Sequence, residues 1–346
     1  MLLGVPLAAV VSGTSYSVVV PLHNKEATVR EAIKSALNQS KKPFEVIVVD
    51  DGSTDNSVKV VEEFGDKVTL MRNERNVGKA ASINRAVSRV KTPYMLILDA
   101  DTVLDQRFAH EAMRGFYSDN VVGVPGVVLP TSIKTRSQYS RLIEYLLGTS
   151  HKKTQVAMKG IWTMAGAAMM WKTDFLRKHQ VPTDTLVEDM DLAWKTQATK
   201  SPENGERYGI GFSPKAISYT EEPKTFREYI KQTDRWFSIG KVLSKHARDV
   251  PVGLKGLLIW VLIEAALPVA WVTALTWLLV VGNFLSVGIA LLLDLAILAA
   301  VSLHIGRKYG YPKGKVLKGV GWYWIYRFVN AFQFWRRIVK PKKKWY

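Results

Sequence analysis

Acidic residues lie at two places where apolar segments of this chain end. Asp50 and Asp51 close the segment EVIVVDD, and Asp99 and Asp101 form a D-x-D at the end of YMLILDAD. A carboxylate repels a phosphate unless a divalent cation bridges the two, and Mg²⁺ is usually held by one or two carboxylates together with substrate phosphates. These acids therefore predict a divalent cation, Mg²⁺ or Mn²⁺, acting on a phosphorylated ligand. The alternative for DDGS is a plain turn, in which the aspartates bond their own backbone.

Strands and helices alternate around these acids. YSVVVP, EVIVVD, VTLMRN and YMLILD are short, β-rich segments, and residues 28–38, the stretch after Asp55 or Asn56, and Lys79–Arg89 have helical spacing. This order predicts an α/β sheet with right-handed crossovers, whose ligands lie at the carboxyl ends of the strands. Neither G-x-G-x-x-G after the first strand nor G-x-x-x-x-G-K-[ST] occurs, so a dinucleotide fold and a P-loop are disfavoured.

Charge and composition limit the kinds of partner and site that this chain can have. The 346 residues carry a formal net charge of +18, which predicts an anionic partner. The absence of cysteine excludes disulfides, thiolate zinc sites and thiol nucleophiles. A nucleic-acid binder would interleave basic and aromatic residues in the part before residue 250, where this chain instead clusters acids at strand ends. We therefore expect no nucleic-acid partner.

The chain becomes apolar after Pro251. Leu257–Val281 and Leu285–Ile305 are each long enough to cross a bilayer as a helix, and they contain one acid each, Glu264 and Asp294. We expect two transmembrane helices within residues 251–306 of a multi-pass protein in the cell membrane. Either acid could line a translocation path or pair with a lysine or arginine.

The flanking segments set the expected orientation. Residues 307–346 are basic and rich in aromatics, and they predict either an interfacial helix or a third membrane helix, followed by a tail. Excess lysine and arginine place this tail and residues 16–250 in the cytoplasm, facing acidic lipid headgroups. Residues 1–15 form an apolar lead-in, which we interpret as buried or membrane-contacting rather than a cleaved signal.

The acids belong to a longer series of motifs that resembles the family 2 glycosyltransferases, which have a GT-A (Rossmann-like) nucleotide-sugar domain. The E-D and Q-x-x-R-W pair resembles the membrane-embedded branch of cellulose, hyaluronan and poly-N-acetylglucosamine synthases. In chain order the motifs are PLHNKE (21–26), VVDDGST (48–54), NVGKAASIN (76–84), LDAD (98–101), TMAGAAMMWKTDFL (163–176), VEDMDLAWKTQ (187–197), TEEP (220–223) and QTDRW (232–236).

The resemblance implies which residues bind the donor. Asp51 would contact the base or ribose, Lys79 the base or phosphate, and Arg235 the diphosphate through its forked guanidinium. The predicted nucleotide-sugar site consists of Pro21, Glu26, Asp51, Lys79, Asp99 and Arg235.

The resemblance also implies the metal and the base. Asp101 would ligate the divalent cation directly, and Asp99 would assist it or contact the nucleotide. An acceptor hydroxyl needs a general base, and we expect Asp189 to serve, with Glu188 and Asp191 raising its proton affinity. Direct attack would invert the anomeric carbon, so that an α-linked donor gives a β-linkage.

On the acceptor side, the resemblance implies Gln232 as a polar contact and Trp236 as a flat platform for a sugar ring. Gly166 would let the acceptor approach the backbone closely. The expected reaction is sugar transfer from a nucleotide diphosphate sugar, with UDP-glucose or UDP-N-acetylglucosamine as family-based guesses. Polysaccharide synthesis and single-sugar transfer to a membrane lipid both remain open, because two helices cannot enclose a polymer channel without further copies or an accessory membrane subunit.

Overall fold

The computed structural model describes residues 14–340, apart from the side chains of Leu257, Trp260, Val261 and Glu264. Most of the lead-in expected over residues 1–15, the Glu264 side chain and the last lysines of the tail therefore lie outside the described residues. The helices and strands run in chain order as β1 (Tyr16–Leu22), α1 (Val29–Leu37), β2 (Glu45–Asp50), α2 (Ser57–Glu62), β3 (Thr69–Arg72), α3 (Lys79–Val87), β4 (Tyr94–Leu98), β5 (Thr102–Leu104), α4 (Phe108–Met113), β6 (Val121–Pro125), β7 (Val127–Pro130), α5 (Arg136–Ala157), β8 (Ala168–Lys172), α6 (Thr173–His179), α7 (Glu188–Ala198), β9 (Gly209–Ile210), β10 (Ile217–Thr220), α8 (Phe226–Trp236), α9 (Gly240–His246), α10 (Val252–Val280), α11 (Phe284–Lys308) and α12 (Lys313–Val339).

The large sheet has the strand order β3-β2-β1-β4-β8-β6-β9. Its strands β3, β2, β1 and β4 are parallel neighbours, and β8 runs antiparallel to both β4 and β6. The four predicted strands and the α/β alternation are thus confirmed. Val46 to Val49 of β2 are at most 1 % exposed, as expected for a parallel strand covered on both faces.

A smaller sheet, with the order β5-β10-β7, brings a distant segment to the acids of β4. β5 begins at Thr102, directly after the D-x-D, and Thr102 pairs with Thr220 of β10. Asp101 accepts a hydrogen bond at its backbone carbonyl from the Glu221 N–H, at 3.3 Å. The TEEP segment therefore lies beside the D-x-D, although more than a hundred residues separate them.

The C-terminal helices pack against the domain that precedes them. Of the helices described, α11 is the one long and apolar enough to cross a membrane, while the apolar stretch Ala265–Val280 of α10 is shorter. Helix α12 lies along α5, where Gly319 permits close contact, because a Cβ there would lie 3.0 Å from the Tyr139 carbonyl oxygen.

Asp294 of α11 bonds to α12 rather than to solvent. Arg327 donates to both carboxylate oxygens of Asp294, one bond measuring 3.0 Å, and Trp324 Nε1 donates to Oδ2 at 2.6 Å. Of the two roles left open for Asp294, pairing with an arginine is the one found. The pair ties α11 to α12 through a charge that would be costly to leave alone in an apolar environment.

Candidate active site

Lys79 joins the two groups of acids that were predicted separately. Its ammonium nitrogen lies 2.6 Å from Asp99 Oδ1 and 3.2 Å from Glu188 Oε1, and it donates to the Gly166 carbonyl oxygen at 3.5 Å. Lys79 is the first residue of α3, and the preceding Gly78 has a φ of 95°, a conformation that favours glycine. Lys79 therefore contacts three segments: the carboxyl end of β4, the start of α7 and the loop before β8.

Asp189 lies next to Glu188 and is held by two backbone N–H groups. Its Oδ2 accepts a hydrogen bond from the Gly166 N–H at 3.0 Å, and its Oδ1 accepts one from the Met190 N–H at 2.8 Å. A Cβ on Gly166 would lie 2.8 Å from Asp189 Oδ2. The glycine is needed here because Asp189 Oδ2 approaches its backbone, and the close approach of an acceptor to Gly166 stays a prediction.

Burial and neighbouring charges push the pKa values of the two adjacent acids apart. Burial, and then the charge of Glu188, raise the pKa of the Asp189 carboxyl above its ordinary value. Burial also disfavours ionised Glu188, but Lys79 and Arg235 outweigh it and hold the pKa of Glu188 below its usual range. The predicted rise at Asp189 is confirmed, and Asp189 is the better proton acceptor of the two.

Asp191, the third acid of this motif, belongs to a separate network. Its carboxylate is fully buried and lies 2.9 Å from Lys245 Nζ and 2.7 Å from His246 Nε2, both on α9. These contacts anchor the start of α7 to α9. The rise in the pKa of Asp189 comes first from burial and then from Glu188, while the Asp191 carboxylate faces Lys245 and His246.

The D-x-D carboxylates face lysines. Asp101 Oδ2 lies 2.6 Å from Lys25 Nζ, and Asp99 lies against Lys79. Burial raises the pKa of Asp99 to about 6. Among the described residues, no three side chains of the metal-binding types converge on one point. The two aspartates fit a hard cation that takes its remaining ligands from phosphate and water, which is the usual arrangement for Mg²⁺.

The acids after β2 are bonded differently. Asp50 Oδ1 accepts from the Ser53 N–H at 3.1 Å, so the turn interpretation of DDGS is confirmed for this residue. Asp51 is 3 % exposed, and its carboxylate accepts hydrogen bonds from the Val77 and Gly78 N–H groups, each at 2.8 Å.

Asn73 Nδ2 adds a third bond to the Asp51 carboxylate, also at 2.8 Å. Gly52 lets the two loops approach, because its φ is 71° and a Cβ there would lie 2.8 Å from the Asn76 nitrogen. Asp51 therefore fixes the loop that leads to Lys79. Asp51 Oδ2 accepts only one of these bonds and can accept another, and the predicted contact of Asp51 with the nucleoside stays a prediction.

Pro21 and Glu26 lie at the neighbouring end of β1. Pro21 is buried and pairs with Val49 in the sheet. Glu26 is exposed and accepts the Asn56 N–H at 2.8 Å. The structure therefore places both at the strand edge expected for the donor.

The Q-x-x-R-W residues divide between two neighbourhoods of α8. The charge of Arg235 lowers the pKa of both Glu188 and Asp189, so it lies by these acids. Gln232 instead accepts a hydrogen bond from Arg141 Nη2 at 2.7 Å, and the Arg141 guanidinium stacks 4.2 Å from the ring centre of Trp236. The predicted acceptor residues Gln232 and Trp236 are therefore positioned by α5.

Sequence reasoning missed Arg141 and Glu222. Both side chains are fully buried, with Arg141 Nε 3.2 Å from Glu222 Oε2. Tyr145 donates to Glu222 Oε1 at 2.5 Å, and burial raises the pKa of Glu222 to about 7. TEEP was recognised as a motif without a role for Glu222, and Arg141 lies in a segment that resembles a membrane-surface helix. No local pattern shows that an arginine there is buried.

The mixed α/β sheet of Rossmann type, with acids at the carboxyl ends of its strands, is a GT-A-like domain. Residues 17–179 match the family described as Glycosyl transferase family 2. The chain therefore contains a family 2 glycosyltransferase domain, and the resemblance drawn from the motifs is confirmed.

Known proteins with similarity to this chain include two bacterial synthases. A poly-beta-1,6-N-acetyl-D-glucosamine synthase of Staphylococcus epidermidis is 26 % identical over 273 residues, covering 76 % of this chain and 62 % of its own. That of Staphylococcus aureus strain COL is 27 % identical over 224 residues, covering 62 % and 52 % respectively. This chain thus spans only about three fifths or half of these relatives' length.

A solved structure with a similar fold is the mannosyltransferase PcManGT from Pyrobaculum calidifontis, in complex with GDP-Man and Mn²⁺. It has a TM-score of 0.59 and 21 % identity, covering 91 % of this chain and 87 % of its own. The similarity shows that the two chains share a fold.

Proposed function

We propose that this chain is a membrane-bound, inverting glycosyltransferase that moves a sugar from a nucleotide diphosphate sugar to an acceptor hydroxyl, forming a β-linkage. One observation carries the proposal: a single lysine, Lys79, lies between the D-x-D acid Asp99 and the Glu188–Asp189 pair. Sugar transfer needs a site for the leaving diphosphate next to a base for the attacking hydroxyl. The D-x-D acids suit the first task, the Glu188–Asp189 pair suits the second, and Lys79 contacts both.

The donor half of the site supplies positive charge and cation ligands. Asp101 and Asp99 would hold a divalent cation, which when bound would neutralise the leaving diphosphate as a Lewis acid. Lys79 and Arg235 add cationic donors in the same place. The mannosyltransferase of similar fold binds GDP-Man and Mn²⁺, which supports a nucleotide-sugar donor and a divalent cation here.

The acceptor half supplies the base. Asp189 takes the proton of the acceptor hydroxyl as its oxygen bonds to the anomeric carbon, while the bond from that carbon to the diphosphate breaks. Attack opposite the leaving group inverts the carbon. The Gly166 N–H, bonded to Asp189 Oδ2 at 3.0 Å, keeps the carboxylate in one orientation.

We propose a polysaccharide as the product, since the two bacterial relatives are poly-beta-1,6-N-acetyl-D-glucosamine synthases. The second candidate is transfer of one sugar to a membrane lipid. It is favoured by the packing of α12 against α5, which places the catalytic domain directly beside the apolar helix α11. In either case we place the protein in the cell membrane as a multi-pass protein, with α10 and α11 spanning it and residues 16–250 in the cytoplasm.

The test is transfer by the purified chain in lipid nanodiscs, with Mn²⁺ or Mg²⁺ and labelled UDP-N-acetylglucosamine, UDP-glucose and GDP-mannose in turn. A ladder of product lengths supports polymerisation, and one organic-soluble product supports lipid transfer. Nuclear magnetic resonance of the new linkage reads the anomeric configuration. An α-linkage formed from an α-linked donor would contradict the inverting mechanism, and absence of transfer from every donor would contradict the proposal.

A further inference from the structure

A basic pocket of about 480 Å³ opens where α5, α8 and α12 meet. This basic pocket is bounded chiefly by Lys134, Arg136, Lys224, Lys318, Trp322 and Tyr326. We propose that this pocket binds the phosphate headgroup of a membrane lipid. The proposal does not depend on sugar transfer by the catalytic acids.

The charges of the basic pocket are of one sign. Lys134, Arg136, Lys224 and Lys318 all line it, and none of the described residues that line it is acidic. Within residues 14–340, no ion pair joins any of these cations to a carboxylate. The adjacent acid, Glu228, accepts the backbone N–H groups of Lys224 and Thr225 instead. Cations gathered in this way repel one another, and an anion relieves that repulsion.

Aromatic rings hold two of the cations in place. The Arg136 guanidinium lies 4.7 Å from the centre of a Trp322 ring, and Lys318 Nζ lies 4.7 Å from the centre of the Tyr139 ring. A cation held over a ring keeps its charge while part of its surface is covered, and an arginine can bind a phosphate through two parallel N–H bonds. Arg136 and Lys318 are therefore held at the pocket with their charges available to an anion.

Two helices begin at the pocket, and one of them adds to its preference for anions. Thr135 caps α5 and Thr225 caps α8, each through a capping box. A helix N-terminus carries a partial positive charge, which stabilises a phosphate within the first turn. At α8 the Glu228 carboxylate already occupies this place, whereas the first turn of α5 holds no acid. Lys134 directly precedes the α5 cap, so side-chain charge and helix dipole act together there.

The surroundings point to a lipid as the source of the phosphate. Helix α12 forms one wall, and the same helix is tied to the membrane-length helix α11 by the Asp294–Arg327 pair. Phe226, which lines the pocket, is 51 % exposed, and on α12 Leu317 and Ile325, which directly precede pocket residues in sequence, are each 49 % exposed. Half-exposed apolar side chains together with Trp322 and nearby lysines are typical of a membrane interface, where acyl chains continue from a headgroup.

The basic pocket is separate from the reacting centre. Helix α8 begins beside the pocket at Phe226 and ends at Trp236, and 11 residues of helix span about 16 Å. A headgroup in the pocket would leave Asp99, Asp101 and Asp189 to the donor and acceptor. The lipid would then hold the catalytic domain against the membrane in a fixed orientation.

The experiment measures binding of short-chain lipids to the full chain in detergent by isothermal titration calorimetry. Dioctanoyl phosphatidic acid is the test probe, dioctanoyl phosphatidylcholine the zwitterionic control and inorganic phosphate the control for a lipid-free source. The variant K134A/K318A removes two pocket lysines. Its matched control, K59A/K91A, removes two exposed lysines outside both sites, Lys59 on α2 and Lys91 in the loop before β4.

We expect phosphatidic acid to bind wild-type protein and K59A/K91A equally and K134A/K318A about tenfold more weakly. Arg136→Lys, which keeps the charge and loses the fork, should also weaken binding severalfold and guards against misfolding of the double variant. Equal affinity for inorganic phosphate would overturn a lipid source. Equal loss in both double variants, or tighter binding of phosphatidylcholine, would overturn the pocket. The affinity for UDP should be the same in the wild-type protein and in all these variants. Failure of the lipid-binding proposal is therefore distinguishable from failure of the proposed transferase.

Discussion

The carboxyl ends of β2 and β4 both carry a pair of aspartates, and the two pairs meet different partners. At the β2 corner, Asp50 and Asp51 accept hydrogen bonds from backbone N–H groups and from Asn73. At the β4 corner, Asp99 and Asp101 face the ammonium groups of Lys79 and Lys25 at 2.6 Å. A backbone donor belongs to the fold, whereas a lysine on a flexible stem can move aside for a bound cation. The aspartates of the β2 corner are thus bonded within the fold, and we expect the β4 corner to be the one that exchanges its lysine contacts for a bound cation.

The largest expected effect lies at the acids joined to the β4 corner. Asp189→Asn removes the base while keeping the shape, so transfer should fall about 10²- to 10⁴-fold. Nucleotide affinity should change little, since Asp189 is bonded to Gly166 and Met190. Single-turnover transfer and nucleotide titration measure the two. The control is Asp174→Asn, which changes an exposed acid paired with Arg177. Full activity in Asp189→Asn would exclude Asp189 as the base.

The stability of the two corners should differ in the opposite sense. Asp51→Asn leaves an amide nitrogen facing backbone N–H groups, so the free energy of unfolding should fall by about 1–3 kcal/mol. Asp99→Asn relieves a buried charge and should cost far less. Thermal unfolding of the two variants in the same detergent makes the comparison. Equal losses of Tm would mean that the aspartates of the two corners contribute equally to stability, against the difference expected here.

Gly166→Ala tests the contact between the loop before β8 and Asp189. The new Cβ would lie 2.8 Å from Oδ2, so the carboxylate must shift by a few tenths of an ångström. We expect transfer to fall about tenfold with little change in nucleotide affinity, since a full 1 Å misplacement can cost a hundredfold. Gly148→Ala, in α5 with nothing within 4 Å of its Cβ, is the matched control and should be active. Equal rates in the two variants would show that this contact does not position the base.

The last effect lies outside both corners and concerns Glu222, whose pKa of about 7 lies above its ordinary 4.5 because of burial. The folded protein retains a proton that the unfolded chain releases between these values. The free energy of unfolding should therefore decline as pH rises from about 4.5 to about 7, by at most about 1.4 kcal/mol per pH unit. Glu222→Gln should flatten this part of the Tm profile, measured with chelator present. An unchanged slope of Tm against pH in Glu222→Gln would mean that another group causes the pH dependence.

Local patterns predicted most of the fold. The apolar runs EVIVVD and YMLILD became parallel strands because both faces of a parallel strand are buried, and such runs are visible in sequence. The same patterns placed Asp99 at the end of a strand and Lys79 at the start of a helix, and the family resemblance assigned both to the donor site. They could not show that Lys79 also reaches Glu188, because that contact depends on how α7 packs across the sheet.

Long-range contacts explain what the sequence could not predict. Asp50 and Asp51 look equivalent to Asp99 and Asp101 until the loop holding Val77 and Gly78 folds over them. Arg141 and Gln232 are 91 residues apart, and neither position alone indicates a buried contact. For Asp294, both a path and an ion pair were compatible with the sequence, and the ion pair is found because α12 packs against α11.

The most direct test compares nucleotide affinity at the two corners. UDP and GDP are titrated against wild-type protein, Asp101→Asn and Asp50→Asn, each with Mn²⁺ and with chelator. We predict that Mn²⁺ strengthens binding of one nucleotide to wild-type protein and to Asp50→Asn alike, and that Asp101→Asn loses at least about tenfold of that gain. Loss of the Mn²⁺ effect in Asp50→Asn with its retention in Asp101→Asn would contradict the account.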